Sequence, residues 1–222
     1  MRWIRLAGML VLAQLGIPGA AADDAEIKAA SALLFGGKVD AAIERFSAII
    51  AKGGLPPAQL ALAHSRRGEA YNHKGKLTEA LDEFQRARSL SPDDALLQLQ
   101  FGRQHLTLAE RGRQPARIFG HGNLQAARAA LAEAVRLDPR LDSASSALGR
   151  ISLHFEDYPE ALAKLEDSLG LSPHWWVTWQ DRAVALRGLR RPDEEAIASL
   201  RTAYVLFGSE QTRRALERYD AD

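Results

Sequence analysis

The 222-residue chain contains no cysteine. That absence excludes structural disulfides, a thiol nucleophile, cysteine-ligated metal and a lipid-modified N-terminal cysteine together. There is no excess of one charge either: 29 basic against 28 acidic residues leave a formal charge of +1, too weak a field to imply nucleic acid as a partner. The longest apolar run, Leu6 to Ile17, is about a dozen residues, whereas a membrane-spanning helix needs about 20. Catalytic signatures are missing as well. None of the six histidines, His64, His73, His105, His121, His154 and His174, has a second one at i, i+4, the helical spacing with a glutamate that a metalloprotease needs. No Gly-x-Ser-x-Gly elbow and no phosphate-cradling Gly-rich loop followed by Lys-Ser/Thr occurs. The sequence therefore predicts neither an enzyme nor a cofactor or metal site.

What is present begins with an expected leader. Met1 to Arg5 carries two arginines, the apolar run follows, and Ala20-Ala21-Ala22 places small residues at the −3 and −1 positions of a cut before Asp23. This is the layout of a secretory signal peptide over residues 1–22. Its removal, taking Arg2 and Arg5 with it, would move the formal charge from +1 to −1, so the mature protein stays near neutral, with no membrane span and a protein or peptide as the expected ligand. Its oligomeric state is not legible.

The remainder is organised around the 34-residue stretch Ala61 to Asp94. Gly68 and Tyr71 are separated by two residues, Ala80 and Phe84 by three, Ala87 follows and Pro92 closes the unit. Gly68 and Ala80 lack bulk where two antiparallel helices would cross, and Tyr71 and Phe84 fill the space beside the crossing. Gly75 stands where a first helix must stop, and Pro92 ends a second. This pattern resembles the tetratricopeptide repeat (TPR) at every position but its first two.

Other parts of the chain repeat it. Gly37 to Phe46 aligns with Gly75 to Phe84, giving a terminal repeat at about 23–56 that Lys52 to Pro57 breaks. A third repeat, 95–141, carries Phe101-Gly102 and His105, then Ala127, Leu131, Ala134 and Pro139. Gly102 and Ala127 are 25 positions apart where Gly68 and Ala80 are 12 apart. An insertion therefore falls near 111–122, and Gly112, Pro115, Gly120 and Gly122 predict a loop there. The fourth repeat, 142–175, has Leu148-Gly149, Ala161, Leu165, Ser168 and Pro173; the fifth, 176–209, has Trp179, Ala183, Leu186, Ala196, Leu200 and Ala203. A polar helix over 210–220 is expected to cover the open end. The resemblance implies a single TPR domain over 23–222: an all-α, right-handed superhelical solenoid of about five helix-turn-helix repeats with a C-terminal capping helix.

In this family positions 2, 5, 9, 12 and 13 of each repeat typically reach the concave groove. Carried over, they are Leu62, Ser65, Glu69, Asn72 and His73 in the second repeat, and Leu96, Leu99, Arg103, Leu106 and Thr107 in the third. The fourth supplies Ser143, Ser146, Arg150, Leu153 and His154, and the fifth Val177, Gln180, Val184, Arg187 and Gly188. Arg103, Arg150 and Arg187 suggest a cationic line beside an apolar patch of Leu96, Leu99, Leu106, Leu153, Val177 and Val184, suited to a peptide with apolar anchors and a carboxylate. The five-residue clamp by which some TPR domains hold a C-terminal carboxylate has no match, since repeats 1 to 3 would place Ile27, Ser31, Arg66, Leu96 and Gln100 there. A secondary surface is expected at Arg111, Arg113, Arg117 and Phe119 of the insertion and at Trp175 and Trp176. The function expected from the resemblance is a non-enzymatic scaffold or adaptor in the bacterial cell envelope, periplasmic or secreted. The alternative is a holdase-like chaperone or biogenesis factor with several clients.

Overall fold

The computed structural model describes residues 20–111 and 116–220. Among the described residues there are eleven α-helices and no strand. They are α1 (Ala20–Phe35), α2 (Val39–Lys52), α3 (Pro57–His73), α4 (Leu77–Leu90), α5 (Ala95–Arg111), α6 (Ala116–Leu137), α7 (Asp142–His154), α8 (Tyr158–Leu171), α9 (Trp176–Gly188), α10 (Asp193–Phe207) and α11 (Glu210–Asp220). The expected leader lies outside the described residues up to 19, and Ala20 to Ala22 are the first turn of α1. The helices fall into two compact units that divide after Ser91.

In the first unit α1 pairs with α2, α3 with α4, and α3 also packs on α1 and α2. The buried stripe of α2 is Ala42, Phe46 and Ile49, at the i, i+4, i+7 spacing that places side chains on one helix face. Phe46 is wholly buried among Ile27, Ala30 and Leu34 of α1 and Ala63 and Ala70 of α3. On α4 the stripe is Ala80, Glu83, Phe84 and Ala87. A methyl group on Gly68 would stand 2.9 Å from Phe84 Cε1, so the helices meet where the sequence places bare backbone.

The charged member of that stripe is fully engaged. Glu83 accepts from Arg67 through both oxygens at 2.8 Å and lies 2.9 Å from His64 Nδ1, while Arg67 Nη1 donates to Ser47 Oγ of the preceding hairpin at 2.9 Å. Burial by itself works against a charged Glu83, but the bonds from His64 and Arg67 and their charges outweigh it and hold the carboxyl below its ordinary value.

In the second unit α5 pairs with α6, α7 with α8, and α9 with α10; α7 packs on α6, α9 on α8, and the first helices α5, α7 and α9 touch in sequence. The crossings repeat the arrangement of the first unit. A methyl on Gly102 would stand 2.7 Å from Leu131 Cγ, and one on Gly149 2.6 Å from Leu165 Cγ. Asp94 accepts from the amides of Leu96 and Leu97 and so satisfies orphan donors at the start of α5. Asp157 does the same for Glu160 at the start of α8. The capping helix α11 sits against α10, and Gln180 of α9 donates to its Thr212. That bond joins the same repeat positions as the 2.9 Å contact between Ser146 of α7 and Thr178 of α9, so α11 takes the place that a further first helix would occupy.

In the four hairpins whose turns lie among the described residues, the turn needs one left-handed residue. Gly37 and Gly75 supply it in the first unit, at φ 76° and 71°; in the second unit the equivalent positions are Glu156 and Arg190, at φ 57° and 54°. Each turn closes with a bond spanning five residues, from Lys38 to Leu33, Lys76 to Tyr71, Asp157 to Ser152 and Arg191 to Leu186, the Schellman arrangement that ends a helix with a left-handed residue.

The insertion differs from the loop expected at 111–122. Residues 116–122 are helical and form the first turns of a 22-residue α6, while Arg111 closes α5. Glycine inside an exposed helix costs only about 1 kcal/mol relative to alanine, and a helix continuing into the packed stripe of Leu124, Ala127 and Leu131 overcomes that. Residues 112–115 lie outside the described ones.

Candidate functional site

The first helices of three successive repeats in the second unit enclose a cleft of about 420 Å³, within the ~300–1,000 Å³ typical of ligand pockets. From α5 come Arg103, Leu106, Thr107 and Glu110; from α7, Ser143, Ser146, Ala147 and Arg150; from α9, Val177 and Thr178. Asp142 and Trp175 form its rim, the indole N–H donating to Asp142 Oδ2 at 2.8 Å. The groove positions read from the sequence thus converge here for Arg103, Leu106, Thr107, Ser143, Ser146, Arg150 and Val177.

The three expected arginines are not a line of equivalent cations. Arg150 Nε donates to Asp181 Oδ2 at 3.0 Å, and its Nη1 stands 3.9 Å from Glu110, which also lies 3.5 Å from His154. Arg187 places its guanidinium over the Tyr219 ring, 5.4 Å from the centroid, a cation–π contact. Arg103 is exposed and has no ion pair among the described residues. The reason is positional. Asp181 is the sixth residue of its repeat and faces the ninth residue of the one before, Arg150; the sixth residue facing Arg103 is Ala147, which brings no charge.

The carboxylates lining the cleft, Glu110 and Asp142, and Asp181 bonded to Arg150 are each committed. Burial works against ionisation of Glu110, but the His154 bond and the charges of Arg150, His154 and Arg111 prevail, so its carboxyl is held below the ordinary value. Asp142 is likewise lowered against burial, by bonds from Ser172, Trp175 and the Ser143 amide. Asp181 goes the other way. Its side chain is 18 % exposed, and burial pushes it up despite the charge and hydrogen bond of Arg150, with Glu110 adding repulsion. Asp181, Glu110 and Asp142 were not singled out from the sequence; the available signal was the ninth-to-sixth pairing between neighbouring repeats.

Three expected anchors are core residues as well. Leu99 and Leu106 are buried in the cluster of Leu124, Leu131 and Leu148, with Leu106 also reaching the cleft wall, and Leu153 is half-buried against Ala161, Leu165 and Ala185, because a first helix packs on its own second helix and on neighbouring first helices. Leu96 and Val184 do remain exposed. In the first unit Glu69 is half-buried and held by both its oxygens on Arg66, at 3.1 and 2.8 Å; Asn72 is half-buried and His73 exposed. Of the secondary surface, Arg111 is exposed, Arg113 lies outside the described residues, and Arg117 and Phe119 fall on the helical start of α6 with their side chains outside them. Trp175 is exposed, whereas Trp176 stacks on Phe207 with ring centroids 4.6 Å apart. Among the described residues no group of three or more His, Asp or Glu is placed to hold a metal ion.

Residues 27–95 and 119–174, more than half of the chain, match the tetratricopeptide repeat family model. The chain belongs to the TPR family. Members of this family are in general protein-interaction modules without catalytic activity. The TPR fold is shared with solved structures of low identity. A crystal structure of MamA protein matches with a TM-score of 0.65 at 17 % identity, over 83 % of this chain and 91 % of that one. A thermophilic TPR protein from Thermus thermophilus matches with a TM-score of 0.65 at 19 % identity, over 89 % and 98 %. YrrB, described as a TPR protein with an unusual peptide-binding site, matches with a TM-score of 0.65 at 18 % identity, over 87 % and 90 %. No curated protein matches the TPR chain in sequence. Among the described residues no helix is long and apolar enough to cross a membrane.

Proposed function

We propose that this TPR protein is a non-enzymatic scaffold of the bacterial cell envelope that holds a peptide or protein partner in the cleft between α5, α7 and α9. The observation that carries the reading is the convergence of three successive first helices on one open cavity, with an arginine that has no ion pair among the described residues, the apolar side chains of Leu106, Ala147 and Val177, and several hydroxyls on its walls. That mixture suits an extended peptide, whose backbone needs polar partners and whose side chains need apolar ones. The description of YrrB as having a peptide-binding site supports the same kind of ligand. Placement in the envelope rests on the leader-like residues 1–22.

The test has two parts. Fractionation of expressing cells with N-terminal sequencing of the product should find the chain in the envelope or medium starting at Asp23; an intact Met1 in the cytoplasm would overturn the location. Affinity capture from the envelope fraction should yield one or two stoichiometric partners that Val177→Trp, which fills the cleft, no longer retains. Equal capture by both proteins would remove the cleft from the reading.

A holdase-like role is the second reading, favoured by the exposed apolar end of α10, where Val205 is 83 % and Phe207 63 % exposed beside Trp176. It would show as many substoichiometric clients and suppressed aggregation of a denatured test protein.

A further inference from the structure

The three carboxylates that approach the cleft are all committed to partners within the fold: Glu110 to His154 and Arg150, Asp142 to Trp175, Asp181 to Arg150. Among the described residues Arg103 alone lines the cavity as a cation with no carboxylate, because Ala147 stands where the neighbouring repeat has Asp181. A guanidinium on the wall of a concave site keeps its five donors for a ligand, and a planar carboxylate is the group that accepts two of them at once. Beside it, Leu106, Ala147 and Val177 form apolar wall, which accommodates a small or branched side chain. Glu110 lies seven residues further along α5, about 10 Å at 1.5 Å per residue, with its charge offset by Arg150 and His154.

Taking the cleft as the peptide-binding surface, we propose that it is a carboxylate-reading subsite: Arg103 receives a carboxylate of the bound peptide, with an apolar residue seated next to it, while Arg150 holds the wall in place and binds no ligand. The carboxylate comes either from an aspartate or glutamate within the peptide or from a free C-terminus, and both sources present the same planar pair of oxygens.

The probe is a random dodecapeptide library displayed in two orientations, one with a free C-terminus and one with both ends fused, selected on the immobilised full chain. Wild type should enrich peptides carrying an acidic residue, or a terminal carboxylate in the first orientation, within one or two positions of an apolar residue. Converting that acid to its amide should weaken binding at least tenfold. Arg103→Gln should abolish the preference. Ala147→Asp should abolish it too, since it gives Arg103 the internal partner that Asp181 gives Arg150; this variant keeps the arginine, so its effect is not a loss of the side chain's packing. Enrichment of peptides without an acid preference, or a preference that survives in both variants, overturns the proposal and leaves the cleft as a peptide site. No enrichment over bare support overturns both.

Discussion

The two units solve one problem with the same geometry and opposite placement of charge. In each, an arginine on a first helix reaches between the second helix of its own hairpin and that of the hairpin before. Arg67 lies between Ser47 of the preceding hairpin and Glu83 of its own. Arg182 lies between Glu166 of the preceding hairpin, at 2.9 Å, and Ser199 of its own, at 2.8 Å. Serine and glutamate have exchanged seats. The acid is 6 % exposed where it belongs to the same hairpin and 51 % exposed where it bridges two. The seat within a hairpin is thus interior and the seat between hairpins is surface, and equal distances carry unequal energies.

Removing the acid from each seat should separate them most widely. Glu83→Ala leaves Arg67 and His64 without their buried counter-charge and should cost about 3–5 kcal/mol, whereas Glu166→Ala should cost less than about 1 kcal/mol. Chemical denaturation of the two variants measures both. Similar losses would show that the buried seat has no special weight. The same contrast predicts a pH effect. The folded Glu83 has a lowered pKa, so its contribution is present at neutral pH and is lost as pH falls below the ordinary value of 4.5. Glu83→Gln should flatten that part of the acid limb, and an unchanged limb would assign it to other carboxylates.

The two arginines of the cleft should separate next. Arg150→Ala leaves Asp181 without its donor and Glu110 without a counter-charge and should lower stability by about 1–3 kcal/mol, while Arg103→Ala should change it by less than about 0.5 kcal/mol. Equal melting temperatures would mean that Arg150 is as unencumbered as Arg103.

The turns give a smaller difference of the opposite sense. A left-handed residue that is not glycine costs roughly 1–2 kcal/mol, and glycine's extra freedom in the unfolded chain returns part of that. Glu156→Gly should therefore stabilise by about 0.5–1 kcal/mol, and Gly75→Ala should destabilise by about 1–2 kcal/mol. If both were neutral, the turns would differ in solution from their φ angles here. A change of similar size is expected in the insertion: Gly122→Ala should add about 0.5–1 kcal/mol, because Gly122 is helical and an added Cβ would meet open space. A loss would return the segment to the loop that its glycines suggested.

Much of this was readable in advance where a residue's role is set by its own repeat. Gly68, Gly102 and Gly149 at the crossings, Gly75 at the turn and the stripes of the second helices follow from spacing alone. What was not readable depends on a neighbour. The covering of Leu99 and Leu153 draws on the next repeat, through Leu148 and Ala185, as well as on their own, and the pairing of Arg150 arises wholly between repeats, where one position is answered by a different position 31 residues on. The helical start of α6 was missed for another reason. Glycine's helix penalty is local and small, while the packing that overrides it lies further along, at Leu124 and Leu131.

Thr212 accepting from Gln180 makes α11 a stand-in for a sixth first helix. Among the described residues the array thus pauses as a sentence pauses at a comma, on a half-unit whose inner side obeys the repeat's grammar. A complete hairpin with threonine at its third position could be spliced in ahead of Glu210, pushing α11 outward by one register without disturbing what lies before it. Length in this chain is modular: the terminal helix travels, and the existing joints are reused.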